Sequence, residues 1–208
     1  MKDRIFKYIE RNFPNLTSDV HLRFELGEPF ENGSDERINQ VVTRVTTLFE
    51  DVFHPEDYIY VYIKDWEIKE DIMFGNTTPE YLYDLLKGQN IEVETLFDLD
   101  EDYDEITGKT IEIKREYKVK LVYSQVKSIT YKDILEGIGN YEQGSEPSIG
   151  QSVYFISTEK DLIFHMYDDR GCIIHSNEVK KLVHMYHKYN KWLVDYWRDY
   201  FNSIFKMS

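Results

Sequence analysis

The stretch "LIFHMYDDRGCIIHSNE", residues 162–178, decides how this sequence is interpreted, because two largely apolar runs flank one polar turn. This arrangement predicts a β-hairpin, with Gly171 suited to a left-handed turn position. A three-residue loop of residues 169–171 would place Asp168 opposite Cys172 and His165 opposite His175. Two histidines that face each other across a ladder lie close enough to share one metal ion.

The hairpin therefore supports two interpretations, and the sequence leaves both open. In the first, His165, His175, Asp168 and Asp169 are metal ligands or acid/base groups. That interpretation lacks a third ligand, because Asp168 points to the opposite face from His165 in this register. In addition, a two-residue loop would break the pairing of the two histidines. In the second, the turn is structural and its aspartates bond to nearby backbone. Cys172, which follows a glycine on an apolar face, is expected in the core.

Outward from the hairpin, helices and strands alternate irregularly, and several neighbouring strands are joined by hairpins. This order predicts an α+β fold with a largely antiparallel sheet, in one domain over residues 1–208. Helices are expected over residues 2–13, 34–53, 79–86 and 131–138. A long aromatic helix is expected from residue 178, with Ser176 or Asn177 as N-cap. Strands are expected over residues 20–26, 58–63, 152–156 and 162–167, together with a long hairpin over residues 91–123.

One strand has apolar side chains on both faces. In "DYIYVYI", residues 57–63, aliphatic residues alternate with Tyr58, Tyr60 and Tyr62. The aliphatic face belongs in the core, whereas the tyrosine face either lies under a helix or forms an interaction surface. We favour the packed arrangement, because a strand that is apolar on both sides is usually central in its sheet.

The charge balance restricts the classes of partner. With 39 acidic and 25 basic residues, the formal net charge is −14, which disfavours binding to nucleic acids and to anionic membranes. The same charge favours a basic protein partner, although it also serves solubility alone. The single cysteine excludes an internal disulfide, and the amino-terminal residues lack the apolar stretch of a signal peptide. A cytoplasmic protein without a cofactor is expected.

Residues 98–105, "DLDEDYDE", form the most acidic segment of the chain, which we call the acidic segment. Its Asp-x-Asp-x-Asp start is similar to a calcium loop, but Tyr103 stands where a glycine is needed and Lys109 stands where a glutamate is needed. The segment is either a solvated hairpin tip or a surface that docks into a basic cleft. The candidate partner-binding residues are Asp98, Asp100, Glu101, Asp102, Tyr103, Asp104 and Glu105.

The last third of the chain resembles a known pattern. A strand, a YDDRG turn, a second strand and a helix with a YNxW segment resemble the bacterial family called domain of unknown function 3885. The matching residues are Tyr167, Asp168, Asp169, Arg170, Gly171, Tyr189, Asn190 and Trp192. The specific part spans about residues 150–206, and "RFELG" and "RINQVVTRVTTLFEDVF" are also similar to longer members. The resemblance implies a small bacterial cytosolic protein and brings no established activity.

The family's general character is similar to that of immunity-type proteins that neutralise secreted toxins. The first hypothesis is therefore a non-enzymatic acidic protein that binds a basic protein, as an immunity or antitoxin partner. The alternative is a metal-assisted hydrolase or nuclease that uses the hairpin with His165 and His175. The oligomeric state and the strand order are left open.

Overall fold

The chain folds around one seven-stranded sheet with helices on both faces. A computed structural model describes residues 2–66, 78–104 and 109–206, with the backbone alone for residues 98–104, 109, 111 and 113–115. The helices are α1 (Lys2–Asn12), α2 (Asp35–Val52), α3 (Tyr81–Leu85), α4 (Tyr131–Tyr141), α5 (Val183–Lys188) and α6 (Arg198–Phe205). The strands are β1 (Val20–Glu25), β2 (Tyr58–Asp65), β3 (Ile91–Asp104), β4 (Lys109–Gln125), β5 (Ser152–Ser157), β6 (Leu162–Asp168) and β7 (Gly171–Ser176).

The sheet has the strand order β1-β7-β6-β5-β2-β4-β3. All six pairings between neighbouring strands are antiparallel, so the predicted α+β class with a largely antiparallel sheet is confirmed. β2 lies between β5 and β4 in the interior of the sheet. This position explains why both faces of β2 are apolar, because each face contacts a separate layer of helices.

The two faces of the sheet bury two separate cores. On one face, α2 and α4 cover the larger core, in which Phe49 contacts the rings of Phe155 and Phe164. On the other face, α1 covers a smaller core that contains Tyr60 and Tyr62. The preference for a packed tyrosine face is confirmed for these two residues, whereas Tyr58 is 46% exposed at the end of the strand.

The carboxy-terminal segment is helical and aromatic as expected, but it is not one continuous helix. Two 3-10 turns, Asn190–Trp192 and Asp195–Trp197, separate α5 from α6. Between them Leu193 is extended and forms a bridge with Phe24 of β1, and Val194 N donates to the Arg23 carbonyl at 3.1 Å. The helix is interrupted because this stretch satisfies backbone groups of the edge strand β1. No described helix is both long enough and apolar enough to cross a bilayer.

Two expected helix boundaries also differ. α4 continues to Tyr141, past the expected end at residue 138, and contains Gly137 and Gly139. A Cβ at Gly137 would lie 2.8 Å from Ile149 Cδ1, so this glycine serves close packing. The segment after β7 begins with a 3-10 turn, Val179–Lys181, and neither Ser176 nor Asn177 caps an α-helix.

β3 and β4 form a hairpin that continues past the end of β2. β4 pairs with β2 as far as Lys118, which lies opposite Asp65, whereas β3 and β4 remain paired as far as Asp104 and Lys109. Residues 96–104 and 109–117 therefore form a two-stranded ribbon beyond the paired end of β2. At roughly 3.3 Å per residue, each arm of the ribbon is about 30 Å long.

Candidate functional site

The β6–β7 hairpin has a different register from the one predicted. Its loop contains two residues, Asp169 and Arg170, and a β-bulge between Met166 and Asp168 absorbs one residue of β6. His165 consequently lies opposite Ile173, and His175 lies opposite Ile163. The predicted pairing of His165 with His175 is therefore wrong. The bulged Tyr167 is held in place from the edge strand, because its hydroxyl accepts a hydrogen bond from Arg23 Nε at 3.0 Å.

Each histidine of the hairpin occupies a structural position. His175 lies opposite His21 of β1, with ring centroids 5.5 Å apart, and its Nδ1 accepts a hydrogen bond from Ser18 N at 3.2 Å. His165 stacks on Tyr154 with ring centroids 4.0 Å apart. These contacts orient both rings, and one ring nitrogen of His175 is already engaged by the backbone.

Burial keeps these histidines neutral in the folded protein. Loss of hydration, with smaller contributions from His175 and Lys64, lowers the pKa of His165 to about 3. Loss of hydration and the neighbouring His21 lower the pKa of His175 to about 4. Because an imidazole titrates near 6.5 in an unfolded chain, the unfolded state binds more protons than the folded state between about pH 6.5 and pH 4.

We therefore expect the free energy of unfolding to fall as the pH is lowered through this window. The variant His165→Phe keeps a ring against Tyr154 and removes one of the titrating groups, so its loss of stability between about pH 7 and pH 5 should be smaller than that of the wild type. Urea unfolding at several pH values measures the difference. His187→Gln, at an exposed histidine, is the matched control for the removal of one imidazole. An equal slope for His165→Phe would contradict neutral burial of His165.

The two aspartates of the turn are engaged by arginines. The Asp168 carboxylate accepts hydrogen bonds from Arg170 N at 2.7 Å and from Arg170 Nε at 2.8 Å. Asp169 is only 1% exposed and accepts from Arg37 Nε at 2.5 Å. Within the described ranges, no three His, Cys, Asp or Glu side chains are placed to hold a metal ion. Asp168 thus stabilises the turn through Arg170, and Asp169 forms a buried ion pair with Arg37.

Arg37 is the buried partner of the turn that the sequence interpretation missed. It is 4% exposed, and its Nη1 donates to the Phe30 carbonyl at 2.7 Å, so it connects α2, the loop before α2 and the hairpin turn. A signal was present, because Arg37 precedes Val41 by four residues and so lies on the apolar stripe of α2. Asp169 Oδ1 is buried without a hydrogen-bond partner among the described residues.

Gly171 and Cys172 have structural roles. Gly171 does not have a positive φ, so the predicted left-handed position is wrong. A Cβ at residue 171 would instead lie 2.5 Å from the Phe24 carbonyl oxygen and would overlap the Tyr167 hydroxyl. Cys172 is fully buried between Met166 and Phe24, and burial raises the pKa of its thiol. It is the core residue that the sequence predicts, and its thiolate is disfavoured as a nucleophile.

A cavity of about 310 Å³ lies between the end of α2 and α5. Its apolar floor includes Val52 and Met185, and charged groups surround it. Two of these groups lie beside acids: Lys160 Nζ is 2.6 Å from Asp57 Oδ2, and His184 Nε2 is 3.3 Å from Asp51 Oδ2. Within the described part of the chain, His184 belongs to no group of three His, Cys, Asp or Glu side chains that could hold a metal ion.

The candidate partner-binding residues lie on the ribbon. Asp98, Asp100, Glu101, Asp102, Tyr103 and Asp104 belong to β3, of which the structure describes the backbone at these positions, and Glu105 lies outside the described residues. Residues 96–117 contain eight acidic and three basic residues. The most acidic part of the sequence therefore lies on the ribbon that extends past β2.

Comparison with known proteins identifies relatives without an established activity. A 70-residue stretch is 31% identical to the uncharacterised protein YnaE of Bacillus subtilis (strain 168), and it covers 31% of this chain and 33% of that protein. No solved structure matches significantly. The family profile described as "Domain of unknown function (DUF3885)" matches residues 5–197, which extends well beyond the carboxy-terminal part that carries the YDDRG pattern. Because this match covers most of its length, the chain belongs to the bacterial DUF3885 family.

Proposed function

We propose that this protein is a non-enzymatic binding protein of the bacterial cytoplasm that engages a basic protein, as an immunity or antitoxin-type partner. The proposal rests on the acidic sequence of the ribbon and on the position of the ribbon beyond the paired end of β2. An excess of acidic residues occurs on two strands that extend beyond β2. A projecting acidic surface accelerates encounter with a basic partner and gives an affinity that depends on salt.

The metal-assisted hydrolase or nuclease is not favoured by a specific observation. His165 and His175 are not opposite each other, and Asp168 and Asp169 are engaged by arginines. Elemental analysis of protein purified without a histidine tag tests this alternative directly. A stoichiometric metal that is lost in His165→Ala or His175→Ala would restore it.

Neutralising the acidic segment is expected to weaken partner binding by about tenfold or more and to flatten its salt dependence. The variant carries Asp→Asn or Glu→Gln at Asp98, Asp100, Glu101, Asp102, Asp104 and Glu105. Tagged wild-type protein is first used to capture partners from its native cells at low and at moderate salt, with identification by mass spectrometry. Affinities of the captured partner for both proteins are then compared.

A matched control separates local charge from total charge. Six exposed acids away from the ribbon, whose side chains make no hydrogen bond or ion pair within the described residues, are neutralised in the same way: Glu10, Glu31, Glu36, Asp133, Glu136 and Glu159. This control has the same net charge as the ribbon variant and should retain most of the affinity. Equal binding by the ribbon variant and the wild type would remove the acidic segment from the account.

A further inference from the structure

The two edges of the sheet differ in whether another described segment lies against them. At the β1 edge, the carboxy-terminal segment covers the strand through the Phe24–Leu193 bridge and the bond from Val194 N to the Arg23 carbonyl. At the opposite edge, β3 is the last strand, and no further strand lies beside it within the described ranges. An uncovered edge presents backbone donors and acceptors on which another chain can pair.

The register shows which residues of β3 direct their backbone groups outward. Asp57 and Val126 lie opposite each other, next to the pair Tyr58–Gln125, and Val126 N donates to the Asp57 carbonyl at 3.0 Å. This is therefore a hydrogen-bonded pair. Because hydrogen-bonded pairs alternate in antiparallel strands, even-numbered residues of β4 bond to β2 and odd-numbered residues bond to β3. The β3 partners of odd β4 residues are even-numbered. Val93 and Thr95 therefore direct their N–H and C=O groups to the outer edge.

The sequence of β3 specifies what kind of strand fits this edge. Its even-numbered positions are mostly acidic, with Glu92, Glu94, Asp98, Asp100, Asp102 and Asp104. Its odd-numbered positions are mostly apolar, with Ile91, Val93, Phe97, Leu99 and Tyr103. The chain already places a cation against this acidic row, because the Lys2 ammonium pairs with Glu94. The Lys2 backbone N–H also donates to the Glu92 carboxylate at 3.0 Å. Val93 is 50% exposed and Thr95 is exposed.

We propose that the partner adds one extended strand of alternating basic and apolar residues to the outer edge of β3. This inference rests on the proposed function, because it takes the partner to be a basic protein. Backbone bonds to residues such as Val93 and Thr95 supply affinity in this mode, and the alternating side chains supply specificity. The basic residues lie beside the acidic row, and the apolar residues lie beside Val93.

A second copy of the same chain does not fit this edge. Pairing of β3 with another β3 would bring two strands together that each carry the acidic segment, and like charges on neighbouring strands are destabilising. The same repulsion protects the uncovered edge from self-association, since charged edge residues commonly prevent edge-to-edge pairing.

The test uses a short peptide of alternating lysine and valine, blocked at both ends, and a version that is N-methylated at every residue. The second peptide keeps the charge and loses all backbone donors. The protein variants are Thr95→Pro, which removes an outward N–H, and Thr95→Val, which keeps it. Proline is tolerated at edge positions whose N–H faces solvent, and circular dichroism verifies that Thr95→Pro is folded.

The plain peptide should bind wild-type protein and Thr95→Val, and should bind Thr95→Pro about tenfold more weakly or worse. The N-methylated peptide should bind poorly to the wild type, and this comparison stands even if Thr95→Pro fails to fold. Equal binding of both peptides, or no binding of either, would overturn strand addition. A wild-type dimer that Thr95→Pro dissociates would assign the edge to a second copy instead.

These outcomes are separable from those of the proposed function. A basic cellular partner could bind Thr95→Pro but not the variant with the neutralised acidic segment. That result would support the acidic surface as the binding site and would contradict strand addition. Peptide binding that depends on Thr95 without any basic partner in cells supports the edge mode and contradicts the proposed function.

Discussion

Replacing Arg37 by leucine is expected to lower the free energy of unfolding by about 3–5 kcal/mol, because the change leaves a buried carboxylate without its cation. The side chains of Arg37 and Asp169 are 5% and 1% exposed, and Nε lies 2.5 Å from Oδ2. Asp169 Oδ1 has no hydrogen-bond partner among the described residues. The Asp169 carboxylate would therefore lose its ion pair with Arg37. Urea or guanidinium unfolding measures the change.

Two further variants separate the buried charge from general disruption. Lys127→Ala breaks an ion pair with Glu56 whose members are 48% and 71% exposed, and should cost about 1 kcal/mol or less. The double variant Arg37→Leu with Asp169→Leu removes both charges, and it should recover part of the stability that Arg37→Leu loses. A loss for Arg37→Leu no larger than that for Lys127→Ala would show that the pair is not desolvated in solution.

The variant Gly171→Ala is expected to cost about 3 kcal/mol, at the upper end of the usual range for overpacking. The added Cβ would lie 2.5 Å from the Phe24 carbonyl oxygen, which belongs to a paired strand and does not rotate away. Thermal and urea unfolding of the purified variant measure the cost.

Gly139→Ala in α4 is the matched control for this change. Its Cβ would lie 3.2 Å from Val41 Cγ1 and 3.4 Å from Met166 Cε, which are ends of side chains, and alanine is favoured over glycine inside a helix. Its effect should be small. A stable Gly171→Ala variant would show that β1 and β7 separate at this point at little cost.

The β6–β7 turn shows which features of a hairpin the local sequence predicts and which it does not. The apolar runs and the Asp-Asp-Arg-Gly turn predicted the hairpin, but the loop length depended on the bulge at Tyr167. That bulge is held by Arg23, more than a hundred residues earlier in the chain. The candidate metal pair depended on that register, because a shift of one residue in one strand changes which side chains are opposite.

The same distinction explains the carboxy-terminal segment. Its aromatic, helical composition predicted one long helix, yet Leu193 is extended and Val194 N bonds to the Arg23 carbonyl, because this stretch satisfies the edge of β1. Intrinsic helix preferences amount to a few tenths of a kcal/mol per residue, so tertiary hydrogen bonds readily override them.

By itself, the sequence determined the α+β class, the helix of residues 34–53, the central β2 strand and the acidic character of the β3–β4 hairpin. These features follow from periodicity and charge, which are local properties of the chain. Only the tertiary structure decided the loop register that separates His165 from His175, the buried pairing of Arg37 with Asp169, and the contrast between the two sheet edges. The carboxy-terminal segment covers β1, whereas no described strand lies beside β3. Each of these depends on contacts between residues far apart in sequence, and no local pattern encodes which distant segments meet.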